Sequence, residues 1–218
     1  MTRATKAEYI CAICGKSSEH WYLLSTNTSG LADLDTRPPE MERSTIKYWV
    51  QRCPHCGYCA SDISKLLPQA VETTKSNVYQ KLLNTTYPSK LANSFLCWSA
   101  IEEKSGNYVN AGWAALYAVW VCDDMGSDKE AQKCRKITIG LFQKAKEMGG
   151  NFGSDKETEE IIMIDLLRRS GQFELALKMC EEALKPRIKE KILQFQKSLI
   201  KISDVNSHTI TEAIENKN

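Results

Sequence analysis

The chain has no apolar run approaching the roughly 20 residues that cross a bilayer. Its first residues, Met1-Thr-Arg-Ala-Thr-Lys-Ala-Glu8, hold no apolar stretch leading to a cleavage site. No secretory leader is expected, and the expected location is the cytoplasm. Histidine is scarce, with three in 218 residues, one of them (His208) close to the end. Acid–base catalysis leans on histidine more than on any other side chain. The sequence also lacks a Ser/His/Asp set, a Gly-rich phosphate loop and a paired-carboxylate motif, so an enzyme is not expected. Excess charge of one sign is missing as well. The net charge is +2, with 9 Lys/Arg against 8 Asp/Glu in residues 1–75 and 20 against 19 beyond. Bulk charge therefore gives no reason to invoke a nucleic-acid partner or a membrane surface.

Cysteine is plentiful by contrast. There are nine, five of them before residue 60. In a reducing compartment this points to metal binding or catalysis rather than to a disulfide framework. Two knuckles stand out, Cys11-Ala-Ile-Cys14-Gly15 and Cys53-Pro-His-Cys56-Gly57. A CxxC turn brings two sulfurs to one tetrahedral ion, at about 2.3 Å each. A glycine after the second cysteine takes a positive φ and lets backbone amides turn toward the thiolates. Pro54 pre-sets the turn. The expected ligands are Cys11, Cys14, Cys53 and Cys56, and the expected cofactor is one Zn2+ per chain. Four thiolates close the coordination shell, so the ion is expected to be structural. Two other readings stay open. Cys59 extends the second knuckle into part of an iron–sulfur spacing, and a thioredoxin-like CxxC would need a βαβ setting that neither pair has. His20 and His55 read as surface or hairpin residues. Cys97, Cys122, Cys134 and Cys180 fall singly in helical patterns and read as small core residues.

The fold class expected is α+β, a small β-rich four-cysteine ribbon followed by an all-α domain. Residues 1–60 form the ribbon, 61–88 a helical connector, 89–202 the helical domain and 203–218 a flexible polar tail. His20-Trp-Tyr-Leu-Leu24 and Ile46-Lys-Tyr-Trp-Val-Gln-Arg52 suit short strands. Asp62 is placed to cap a short helix carrying Ile63, Leu66 and Leu67, and Val71, Val78 and Leu82 mark a second apolar face. Beyond these the period is helical throughout. Trp113 and Trp120 share a face that suits either core or interface.

A spacing recurs in the helical part. Gly106-x-Tyr108-x-x-Ala111, with Ala118 seven residues on, returns as Gly171-x-Phe173-x-x-Ala176 with Ala183. Glycine ends one helix in a left-handed cap, the aromatic starts the next, and the alanines let helices approach closely. This resembles the tetratricopeptide repeat and implies hairpins at about 89–124 and 157–185. Gly140-x-Phe142-x-x-Ala145 has the same spacing but sits inside one long helical stripe, 128–148.

With these motifs in place the whole chain resembles a bacterial family, Domain of Unknown Function 2225. Cys11-x-x-Cys14-Gly15, Asp33-x-Asp35-x-Arg37-Pro38, Tyr48-Trp-Val-Gln-Arg-Cys-Pro-His-Cys-Gly-Tyr58 and Ala111-x-Trp113 carry the resemblance. It implies a zinc ribbon joined to tetratricopeptide-like helices, and no activity. Cys59 stands where a small residue such as alanine is expected.

Three functions follow as expectations. The first is a cytoplasmic zinc-binding adaptor whose helical surface takes an unidentified protein or peptide. The second is a nucleic-acid-binding ribbon, with Trp21, Tyr22, Tyr48 and Trp49 stacking on bases and Lys16, Arg43, Lys47 and Arg52 meeting phosphates. The third is a thiol sensor using Cys59. Arg168-Arg169 reads as a solvated helix end, and the Asp33–Arg37 stretch as a loop held by Asp–Arg pairing. Oligomeric state is not legible.

Overall fold

In the computed structural model, which describes residues 1–85, 87, 89–183 and 189–215, the chain opens on an antiparallel hairpin. Strand β1 (Arg3–Ile10) pairs with β2 (Ser17–Ser25) from Ile10↔Ser17 outward. β2 contains the expected His20–Leu24 strand. Its partner β1 carries alternating Lys6, Glu8 and small residues, too polar to read as a strand from sequence. A second, minimal hairpin follows, β3 (Gln51–Arg52) with β4 (Cys59–Ala60).

Residues 46–48, expected as strand, instead belong to the 3-10 helix Arg43–Tyr48. The cause is local. The Thr45 hydroxyl donates to the Glu42 carbonyl at 2.7 Å, and the Trp49 indole donates to that same hydroxyl at 2.9 Å, coiling the segment. The helix expected at Asp62 does not form. The Asp62 carboxylate accepts the Ser64 amide at 3.0 Å, an Asx turn that competes with a helical start. Helices α1 (Ala70–Lys75) and α2 (Asn77–Leu83) are separated at Ser76, which is extended and caps α2. That break turns Val71 and Val78 outward and Tyr79 inward, the reverse of the expected face.

Three longer helices follow, α3 (Lys90–Lys104), α4 (Tyr108–Asp124) and α5 (Asp128–Glu147), each packed on the next. Gly106, at φ +77°, ends α3. Its amide donates to Glu103, and the next amide, of Asn107, donates to Glu102 at 2.9 Å, the paired bonds of a left-handed cap. Gly171 ends a later helix in the same way, with its own amide donating to Arg168 and that of Gln172 to Leu167. Ala111, Ala118, Ala176 and Ala183 are all buried, as close helix approach requires. Gly140 lies within α5, as its stripe implied. Trp120 is buried in an aromatic cluster with Trp49 and Tyr117, and half-buried Trp113 stands edge-on to Phe142 at 5.7 Å, so both tryptophans serve the core.

The chain divides into two compact units, Met1–Asn27 with Met41–Gly150, and Thr28–Glu40 with Asn151–Asn218. These units cut across the segments read from sequence: connector, α3–α5 and the ribbon apart from residues 28–40 share the first. The second contains α6 (Lys156–Arg169), α7 (Phe173–Ala183), α8 (Glu190–Lys201) and α9 (Ile210–Glu215). Residues 184–185 of the second expected hairpin and 216–218 of the expected tail lie outside the described residues. The rest of that tail is structured. The Ile210 amide donates to the Ala32 carbonyl, the Leu34 amide donates to the His208 carbonyl, and Leu34 packs with Leu199 and Ala213.

That arrangement gives the Asp33–Arg37 stretch its role. Asp35 is buried, accepts the Arg37 amide at 3.1 Å and pairs with Arg169 at 3.4 Å. The Asp–Arg pairing expected for this stretch thus extends to α6. Arg168 and Arg169, expected at a solvated end, are buried. No helix among the described residues is long and apolar enough to cross a membrane.

Cys180 in the second unit is buried, donates to the Leu193 carbonyl and has its thiol pushed up by burial to about 11. A raised thiol pKa means that the fold prefers the protonated form. The resulting stability is complete below the free thiol value of about 9 and is lost as pH rises toward 11. From pH 8 to 10.5 the second unit is expected to lose on the order of 2 kcal/mol that Cys180→Ala does not lose. Urea melts at the two pH values read this difference in slope, and equal slopes would refute it.

Candidate metal centre

Each knuckle forms the tip of one hairpin, Cys11–Lys16 between β1 and β2, and Cys53–Tyr58 between β3 and β4. The two tips use the same bonds. In the first, the Gly15 amide donates to the Cys11 carbonyl at 2.8 Å and the Cys11 amide to the Lys16 carbonyl at 3.0 Å. In the second, Gly57 donates to Cys53 at 3.0 Å and Cys53 to Tyr58 at 2.8 Å. Gly15 and Gly57 have φ of +67° and +77°, the left-handed turn for which the sequence places glycine there.

The four sulfurs converge. Cys11 Sγ and Cys56 Sγ are 3.6 Å apart, Cys14 Sγ and Cys53 Sγ 3.7 Å, and all four lie within 4.8 Å of one another. A tetrahedral ion with bonds of about 2.3 Å needs sulfur–sulfur edges of about 3.8 Å, so the set fits a four-thiolate site. All nine cysteines are free. Among the described residues no other group of three or more His, Cys, Asp or Glu side chains converges in this way.

The nearby Lys16 amide holds the Cys14 thiol below the usual range. Burial pushes the Cys11 and Cys56 thiols up, against amide donation from Cys14 and Ile13 to the first and from Tyr58 to the second. Such amides offset part of the charge that four thiolates gather around a divalent ion. An ion held by all four thiolates would have its tetrahedral shell filled by protein.

The second knuckle is embedded and the first stands out. Tyr58 is fully buried, its hydroxyl donating to the Lys65 carbonyl at 2.7 Å and accepting the Leu67 amide at 3.1 Å. Tyr79 of α2 donates to the Gly57 carbonyl at 2.8 Å. The first knuckle is tied in through the Ala12 amide and the Ile63 carbonyl, 2.9 Å apart. A Cβ on Gly57 would come within 2.4 Å of Leu83 Cδ2, whereas one on Gly15 would meet nothing within 4 Å. Gly15→Ala is therefore expected to cost about 1 kcal/mol, from the left-handed backbone alone. Gly57→Ala is expected to cost about 2–3 kcal/mol because overpacking is added. Denaturant melts of the metal-loaded protein read the difference, and equal costs would show that the two knuckles are equally embedded.

His55 is exposed and reaches only toward the Ser17 carbonyl, at 3.4 Å. His20 packs edge-on to Tyr9, and burial lowers its pKa. Neither belongs to the sulfur cluster. Cys59 is fully buried, donates to the Gly57 carbonyl, and is held protonated well above the usual thiol range by burial. An exposed, ionised thiol is what oxidant sensing needs, so Cys59 does not suit that role. Of the proposed base-stacking residues, Trp49 packs inward on Tyr117 and Trp120. Arg52 is spent on the Asn93 side chain at 2.9 Å and the Leu83 carbonyl at 3.3 Å. Trp21 and Tyr48 do come together, at 6.2 Å between centroids. Lys6, which sequence reasoning did not single out, stands over Trp21. Its signal would have been the pairing of β1 with β2, invisible while β1 was unrecognised.

Compared with protein-family models, curated proteins and solved structures, the chain matches none. The site's reading rests on its own geometry.

Proposed function

We propose that the chain is a zinc-stabilised adaptor, in which a four-cysteine zinc ribbon fixes one end of a helical scaffold that binds another protein. The observation that carries the reading is the tetrahedral convergence of four thiols from two glycine-ended hairpin tips. Zinc suits this set because four thiolates satisfy it without redox chemistry. The ion's role is structural on the same grounds. The resemblance to Domain of Unknown Function 2225 implies the same ribbon and helices but no activity, and the Gly-turn-aromatic hairpins support tetratricopeptide-like packing.

The helical part supplies a surface for the partner. A groove of about 450 Å3 runs along α8, lined by Lys191, Lys197 and Lys201 with Glu190, Phe195 and Ala213, and Lys197 also pairs with Glu181 at 3.0 Å. Lysines around an apolar floor suit an acidic segment with an apolar anchor. The test is co-purification from native cytosol with the wild type and with Lys191→Glu/Lys201→Glu. A protein recovered by the wild type and lost with the double variant supports the adaptor reading. An identical set from both, or none from either, overturns it.

A further inference from the structure

Trp21 on β2 and Tyr48 at the end of the 3-10 helix lie side by side, with centroids 6.2 Å apart and planes at 41°. Trp21 is 48% exposed and Tyr48 is half-buried. Each ring carries its own cation. Lys6 Nζ lies 5.6 Å from the Trp21 ring centroid and Lys47 Nζ 5.2 Å from that of Tyr48. The neighbours of both rings point elsewhere, His20 onto Tyr9 and Trp49 onto Tyr117 and Trp120. In a strand successive side chains alternate faces, so the hairpin presents Lys6 and Trp21 together, directly opposite one another in register.

We propose that this face binds single-stranded nucleic acid, with bases stacked on Trp21 and Tyr48 and phosphates met by Lys6 and Lys47. This goes beyond the adaptor reading and uses a different surface. Aromatic faces flanked by cations take any base, because every base has a π-face, and the cations track the backbone. A duplex keeps its bases stacked away from such rings, so the single strand is the form recognised. The same face carries two carboxylates, Glu8 and Glu19, opposite one another in register, and Glu19 pairs with Lys6 at 3.2 Å with both side chains about half or more exposed. An exposed pair of that kind holds weakly, and a phosphate displaces the carboxylate.

The test uses the zinc-loaded full chain and a dye-labelled oligothymidylate of about twelve nucleotides, read by fluorescence anisotropy. Two phosphate contacts give a slope of log K against log salt of about −1.4, or about sevenfold weaker binding from 50 to 200 mM. Trp21→Ala is expected to weaken binding roughly 5- to 150-fold, and Lys47→Ala to reduce the slope by about 0.7. Glu19→Gln should tighten binding, which a merely structural role would not do. Metal retention checks that Trp21→Ala remains folded. If it does not, Trp21→Leu removes the π-face while keeping apolar bulk and is read in its place. No binding at low salt overturns the proposal. So does binding that survives loss of both rings and vanishes with the lysines, because that is charge alone. Capture of a protein through these rings with no affinity for the oligonucleotide overturns it too.

Discussion

Cys53→Ser is expected to abolish metal binding and to unfold the first unit well beyond the ribbon. Cys53 is 1% exposed and begins the embedded knuckle. Structural zinc in peptide sites contributes roughly 10–16 kcal/mol at neutral pH, comparable with a whole domain's stability of about 5–15 kcal/mol. Without an ion, the two hairpin tips are held to one another by little more than the Ala12–Ile63 hydrogen bond and the His55–Ser17 contact, while four thiols crowd together. Tyr58 and Cys59, fully buried, and Tyr79, bonded to Gly57, then lose the loop that completes their core. Hydrogen exchange should show loss of protection over residues 3–25 and 51–83. Residues 151–183, in the other unit, should keep theirs. A variant that loses the ion but retains protection at Tyr58 and Tyr79 would show that the helices, and not the metal, hold the knuckle. Chelation of the wild type should give the same pattern.

Arg168→Met should destabilise the second unit by about 3–5 kcal/mol. The Arg168 side chain has no exposure, and its guanidinium donates to Asp165 at 2.6 Å and to Asp204. It also donates to the backbone carbonyls of Asp204 at 2.8 Å and Asn206 at 2.9 Å. Removing it takes the guanidinium from Asp204 and leaves Asp165 with the longer Arg169 contact at 4.0 Å, which is where most of that cost arises. The double change Arg168→Met/Asp165→Leu should recover part of the loss, since both charges then leave the interior. Urea titrations of the two variants read the coupling. A single-variant cost below about 1 kcal/mol, or a double variant no better than the single, would mean that the network does not hold residues 203–209 in place.

The parts legible in the sequence are those whose chemistry is local. A CxxC with its following glycine contains the turn and two ligands, so both knuckles and their convergence could be read in advance. The caps at Gly106 and Gly171 and the buried alanines beyond them are equally local, set by one helix end and the next helix start. What failed depended on distant partners. Arg168 looks solvated until Asp204 and Asn206 arrive from 36 and 38 residues away. Asp35 looks like a loop carboxylate until Arg169 meets it across 134 residues. Ile46, Tyr48 and Val50 alternate like a strand, and only the Thr45–Trp49 hydrogen bond shows why they coil. Val71 and Val78 fit one helical stripe that a capping serine at 76 divides. Polar side chains that bond the backbone, or one another across long separations, decided each of these places, and hydropathy patterns do not record them.

The most direct test is the metal content and visible absorption of protein purified without added metal. The account predicts one zinc per chain and no visible band, with the ion lost in Cys53→Ser. Coloured protein carrying iron, or a folded chain that holds no metal at all, would contradict it.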